Sequence, residues 1–158
     1  MTGRPVVLDS NLAALLVVGI SDSTLIGRHR RLRSYDPTDF DLLTRVLSIA
    51  DGLIWCPHVL AETSNLIRYL SEPAKSAVTL TLGTVIDSGD ERGVASNAAV
   101  RRSEFRRLGL TDAVLLVLAE ADAVLLTDDL DLHVAALSAG HHSINFTELR
   151  DQRPDFQT

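Results

Sequence analysis

Three short runs in this chain are apolar without interruption: Val6-Val7-Leu8, Leu53-Ile54-Trp55-Cys56 and Val124-Leu125-Leu126. A strand with one wet face alternates apolar and polar residues, so an unbroken run requires burial on both faces. Between the runs lie stretches with helical spacing. Phe40, Leu43, Val46, Leu47 and Ala50 repeat on one helical face after Asp36-Pro37, where Asp36 suits a cap and Pro37 the first helical position. Strands buried on both faces and alternating with helices predict a central parallel sheet covered by helices, a three-layer α/β/α sandwich. In such sheets ligands bind outside the carboxyl ends of the strands.

The remaining elements follow from local signals. Residues 11–18 form an apolar helix, capped by Ser10 or Asn11 and ended by Gly19. Residues 20–35 lack a period and read as loop or weak helix. Pro57 opens a helix to about Leu70, Glu72-Pro73 another that ends near Asp87-Ser88-Gly89, and Ser96 caps a third through Leu108. Thr111 caps the very apolar helix 112–120, residues 130–139 form another, and residues 142–146 form a last short strand. The chain of 158 residues, 46% hydrophobic, suits one domain over residues 1–150 with a tail over 151–158. No apolar run in the sequence approaches the roughly 18 residues of a membrane span. The opening residues lack a secretory pattern and the single cysteine, Cys56, precludes an internal disulfide, so the expected compartment is the cytoplasm.

Acidic residues sit where the ligand crevice is expected. Asp9 directly follows the first strand, and Asp128 and Asp129 follow the Val124–Thr127 strand. Each also suits a helix cap, stabilised by the helix dipole. Glu62 shares a helix face with Val59, Leu66 and Leu70, and a carboxylate on an apolar stripe costs free energy unless it is paired or binds a metal. Asp112 opens a helix of continuous apolar residues with no basic neighbour at helical spacing. Several carboxylates in one crevice cannot all ionise without compensating positive charge. Oxygen donors favour Mg²⁺ or Mn²⁺ over zinc, and no histidine or cysteine spacing competes. A serine-hydrolase elbow and a phosphate-binding Walker loop are both absent from the sequence.

The formal charge of −6 opposes nucleic-acid binding on average, but the cations are clustered. Of 15 basic residues one is Lys75 and the other 14 are arginines. Arg28, Arg30, Arg31 and Arg33 form one cluster and Arg101, Arg102, Arg106 and Arg107 another. Arginine is the better phosphate fork, although solvated helix surface explains such clusters equally well.

Four segments together resemble the PIN-domain nucleases: Val6-Val7-Leu8-Asp9-Ser10-Asn11, Pro57-His58-Val59-Leu60-Ala61-Glu62, Leu110-Thr111-Asp112-Ala113, and Leu125-Leu126-Thr127-Asp128-Asp129-Leu130-Asp131-Leu132. They occur in the family's order and span most of the chain. The resemblance implies a PIN-like three-layer fold and Mg²⁺- or Mn²⁺-dependent hydrolysis of RNA phosphodiesters. It assigns the acidic, metal-binding roles to Asp9, Glu62, Asp112 and Asp129, the last in preference to Asp128 and Asp131 because the family's acid stands two residues after the threonine. Ser10, Asn11, Asn65 and Thr127 would support them, and Arg101, Arg102, Arg106 and Arg107 would contact RNA phosphates. Many small members are toxins of toxin–antitoxin pairs, which implies an antitoxin protein as partner and a homodimer as assembly. The segment including residues 20–39 is longer than in the shortest toxins, which bears on the toxin role more than on the chemistry. The competing expectations are a catalytically silent module of the same fold that binds RNA or protein, and an unrelated Mg²⁺-dependent phosphatase.

Overall fold

The computed structural model describes residues 3–153. In chain order its elements are β1 (Val6–Leu8), α1 (Ser10–Asp22), two 3-10 turns (Ser23–Arg28 and Arg30–Leu32), α2 (Pro37–Ser48), β2 (Leu53–Trp55) and α3 (Pro57–Ile67). Then come α4 (Ala74–Ser88), β3 (Asp90–Glu91), α5 (Ser96–Val100), α6 (Phe105–Leu108), α7 (Leu110–Glu120), β4 (Val124–Thr127), α8 (Leu130–Ser138), β5 (Ser143–Asn145) and α9 (Phe146–Asp151).

The fold is α/β. Its five strands form one all-parallel sheet in the order β3-β2-β1-β4-β5, compatible with a three-layer sandwich. The three apolar runs are its centre: β1, β2 and β4 are almost wholly buried. The chain builds outward from β1 in both directions, and neighbours β1 and β4 mark the point where strand order reverses. Crossovers leave that point on opposite sides, so their loops part and open a crevice at the carboxyl ends. Leu8 pairs with Leu126, which brings the residues after both strands side by side.

Several local expectations need correction. Gly19 does not end α1, which runs on to Asp22. It is buried because the Phe40 ring of α2 packs on its bare Cα; a Cβ there would stand 2.1 Å from that ring. The cap of α1 is Asp9, not Ser10 or Asn11, for Asp9 Oδ1 accepts the Leu12 N–H at 2.9 Å. The stretch Ser10–Arg28 is 19 residues long with mean hydropathy 1.4, enough by length and composition to cross a bilayer, against the sequence expectation. In the fold residues 12–19 are buried.

The helix expected over 96–108 is two short ones, with residues 101–104 as turn between them, and Ser96 makes no cap bond. Thr111 is not the cap of α7; Gly109, at φ 93°, takes that position. Strand β3 was not foreseen: Asp90 and Glu91 are exposed on a sheet edge, where one-sided pairing demands no apolar signal. Asp36 and Pro37 start α2 as expected, with a reciprocal capping box between Asp36 and Asp39. The proposed tail begins too early, since Asp151 ends α9 and Arg153 is buried against Asp39; residues 154–158 lie outside the described residues.

Candidate active site

The carboxyl ends of β1 and β4 border a cavity of about 150 Å³ lined by Asp9, Ser10, Asn11, Glu62, Asp112, Asp128 and Asp129. Five of its seven residues are acids and none is basic. All four of the expected acids reach it, from β1, α3, α7 and the β4–α8 junction, together with Asp128.

Asp9 is the most constrained of them. It is 6% exposed. Beyond capping α1, its Oδ2 accepts the Thr127 hydroxyl and, at 3.1 Å, the Asp128 backbone N–H. Burial pushes its carboxyl pKa well up, followed by the charge of Asp128; the bonds from Thr127 and Leu12 oppose the shift. Asp128 is also raised, first by burial. The two carboxyls lie close enough for the charge of Asp128 to add to the rise at Asp9, and both are shifted up. Asp128 additionally accepts the Tyr35 hydroxyl.

Asp112, in the first turn of α7, has its pKa pushed up to about 6, by burial first and then by the charges of Asp129 and Glu62. Asp129 and Glu62, from two other elements, are thus each within electrostatic reach of Asp112. Asp129 is the cap of α8, with Oδ1 accepting from Asp131 N–H at 2.9 Å and Leu132 N–H at 3.2 Å. Cap and cavity lining are therefore compatible at Asp9 and at Asp129, because a helix start at the sheet edge offers both. Asp131 does not line the cavity.

Glu62 lines the cavity but does not lie on an apolar stripe. The buried face of α3 is Val59, Leu60, Thr63 and Ile67, and Glu62 is exposed beside it. What brings Glu62 to the cavity is the packing of α3 on α1, where the Ser10 hydroxyl bonds its Oε2 at 3.3 Å.

The supporting residues divide. Ser10 and Asn11 line the cavity, and Thr127 is buried behind Asp9, also accepting the Asp129 N–H at 3.0 Å. Asn65 belongs to a neighbouring cavity. None of Arg101, Arg102, Arg106 or Arg107 lines the acidic cavity. Arg102 is committed to Glu104 at 3.2 Å and Glu120 at 2.9 Å, which removes it from the phosphate-binding set; Arg101, Arg106 and Arg107 are exposed. Sequence reasoning missed Tyr35, whose contact with Asp128 spans 93 residues and leaves no local signal.

The donor set, all oxygen with no cation among the described residues that line it, suits a hard divalent cation. Among the described residues, however, no three His, Cys, Asp or Glu side chains are gathered closely enough to hold an ion as they stand. Asp9, Glu62, Asp112 and Asp129 face a shared cavity without closing a cage. Compared with protein-family models, curated proteins and solved structures, the chain matches none of them.

Proposed function

We propose that the chain is a divalent-metal-dependent ribonuclease of PIN-like, three-layer architecture that hydrolyses RNA phosphodiester bonds. One observation carries the reading: five carboxylates and no cation line a single cavity at the β1–β4 switch point. Such a cavity opposes its own ionisation, and Asp9, Asp112 and Asp128 all have raised pKa values. A polyanionic substrate would only worsen the repulsion, so positive charge has to enter with it.

Asp9, Glu62, Asp112 and Asp129 are the residues that would hold Mg²⁺ or Mn²⁺, with Asp128 beside Asp9. Mg²⁺ retains much of its water, so carboxylates around an open cavity can hold it partly through that water. When bound, the cation supplies charge neutralisation at the phosphate and acidifies the attacking water. The chain's own groups do the rest. Thr127 and the start of α1 fix Asp9. Glu62 or Asp129, exposed at the rim, takes the proton from the attacking water. In-line attack at phosphorus then expels the 3′ oxygen and leaves a 5′ phosphate. From the family resemblance alone, and against the longer segment over residues 20–39, we further propose that the chain is the toxin of a toxin–antitoxin pair, acting in the cytoplasm as a homodimer with an antitoxin protein as partner.

Asp112→Asn is the sharpest test, because Asp112 caps nothing whereas Asp9 and Asp129 do. Single-stranded RNA incubated with Mg²⁺ or Mn²⁺ is expected to be cut by the wild type, and at least roughly 100-fold more slowly by a folded Asp112→Asn variant. Undiminished cleavage by the variant would sink the assignment. A wild type that neither cuts RNA nor gives heat on calorimetric titration with Mg²⁺ would instead mark a catalytically silent module.

A further inference from the structure

The acidic cavity adjoins a second one of different character. This neighbour, about 260 Å³, shares Ser10, Asn11 and Glu62 with it, and its remaining wall is Arg31, Asn65, Leu66 and Tyr69. Here the charge is mixed and one side is aromatic.

The wall is organised by His29, which is 1% exposed. The Arg31 backbone N–H donates to His29 Nδ1 at 3.0 Å, so Nδ1 carries no proton. The proton is then on Nε2, which donates to the Leu66 carbonyl at 2.6 Å. The Tyr69 ring meets the same imidazole edge-on, 6.5 Å between centroids at 87°. One buried histidine therefore ties down the backbone at Arg31 and the last turn of α3 and packs against the Tyr69 ring. Neither the Arg31 guanidinium nor the Tyr69 ring is consumed in the process. Tyr69 is 60% exposed, and Arg31 is exposed and forms no ion pair among the described residues.

An exposed aromatic ring, a guanidinium fork and the Asn65 amide are the groups that hold an unpaired nucleotide: stacking for the base, a charge for the phosphate, an amide for the base edge. A base-paired duplex cannot use them, since its base faces are already stacked. We propose that this second cavity is a subsite for one unpaired nucleotide adjoining the phosphate at the acidic cavity, with its base on Tyr69 and its phosphate on Arg31. The inference rests on the nuclease reading and adds to it the residues of this chain that would hold the nucleotide next to the phosphate at the acidic cavity.

The test is fluorescence anisotropy with a short labelled single-stranded RNA and its duplex, read in Mg²⁺ at the start of the time course, with cleavage followed on the same samples. Wild type is expected to bind the single strand at least about ten-fold more tightly than the duplex. Tyr69→Ala and Arg31→Ala should each lose roughly ten-fold in single-strand affinity, while Tyr69→Phe retains it. The duplex comparison needs no variant, so it holds even if a substitution disturbs folding. Equal affinity of wild type and Tyr69→Ala for the single strand, or of wild type for single strand and duplex, overturns the subsite. If wild type still cuts RNA and Asp112→Asn does not, that failure leaves the nuclease reading standing. A wild type that neither binds nor cuts RNA overturns both.

Discussion

Asp112 shows how a site residue acts against the stability of the fold that carries it. Its folded-state pKa, about 6, lies above the ordinary carboxylate value of 3.8. The folded protein therefore holds this proton more tightly than the unfolded chain, and stability falls as pH rises through the window from about 4 to about 6. Above it the full penalty persists. Asp112→Asn removes the ionisation, so without divalent metal it should be more stable than wild type at pH 7 and equal to it near pH 3. Allowing for solvent screening of a partly exposed carboxylate, the gain is about 1 kcal/mol, a few degrees in Tm. Thermal melts in chelator at the two pH values measure it, and a variant less stable than wild type at pH 7 would contradict the repulsion on which the proposed cation site rests. Added Mg²⁺ should raise the Tm of wild type more than that of the variant, because binding stabilises only the state that binds.

At the scale of elements, α1 and α2 are locked together by a missing side chain. Gly19 lies inside α1 facing the Phe40 ring, whose Cδ2, Cε2 and Cγ would stand 2.1, 2.5 and 2.6 Å from any Cβ. By helix propensity alone, Gly19→Ala would stabilise α1 by up to about 1 kcal/mol. Overpacking against a rigid ring reverses the sign and costs roughly 1–3 kcal/mol. Denaturant unfolding decides between the two, and a stabilised Gly19→Ala would show that α2 can withdraw from α1 freely. The same pair explains why α1 continues past Gly19. Glycine is a stop signal when solvent lies beyond it, and here a phenylalanine distant in sequence lies there instead. The 3-10 turns after α1 are comparable: their period is irregular because they wrap around buried Leu25, Ile26, His29 and Leu32.

Across the whole molecule, the last described residues are tied to the acidic site through one buried acid. Asp39, with no exposed surface, receives Arg150 Nε at 2.9 Å and the Arg153 guanidinium, and Arg153 also pairs with Asp36 at 3.2 Å. The Arg150 guanidinium lies 4.8 Å over the Tyr35 ring, and Tyr35 donates to Asp128. Asp39→Ala withdraws the carboxylate on which two arginines converge and breaks the capping box of α2, and is expected to cost roughly 3–5 kcal/mol. Urea unfolding measures it; a loss below about 1 kcal/mol would mean that the pairing behaves like a surface salt bridge.

Much of this architecture could be read without coordinates. Continuous apolarity in residues 6–8, 53–55 and 124–126 dictates burial on both faces and hence a parallel sheet, and acids written directly after strands must stand at its carboxyl edge. Asp9, Asp112 and Asp129 were legible for that reason, since their placement depends only on where an element ends or starts. Tertiary structure alone decided that Glu62 arrives by helix packing rather than from an apolar stripe, that Asp128 meets Asp9 through its backbone N–H, and that Arg102 is taken by Glu104 and Glu120. It alone also placed Arg31 and Tyr69 on one wall. Strand burial and helix caps are governed by neighbours a few residues apart, whereas these contacts join residues tens of positions apart, whose meeting depends on the packing of the whole chain.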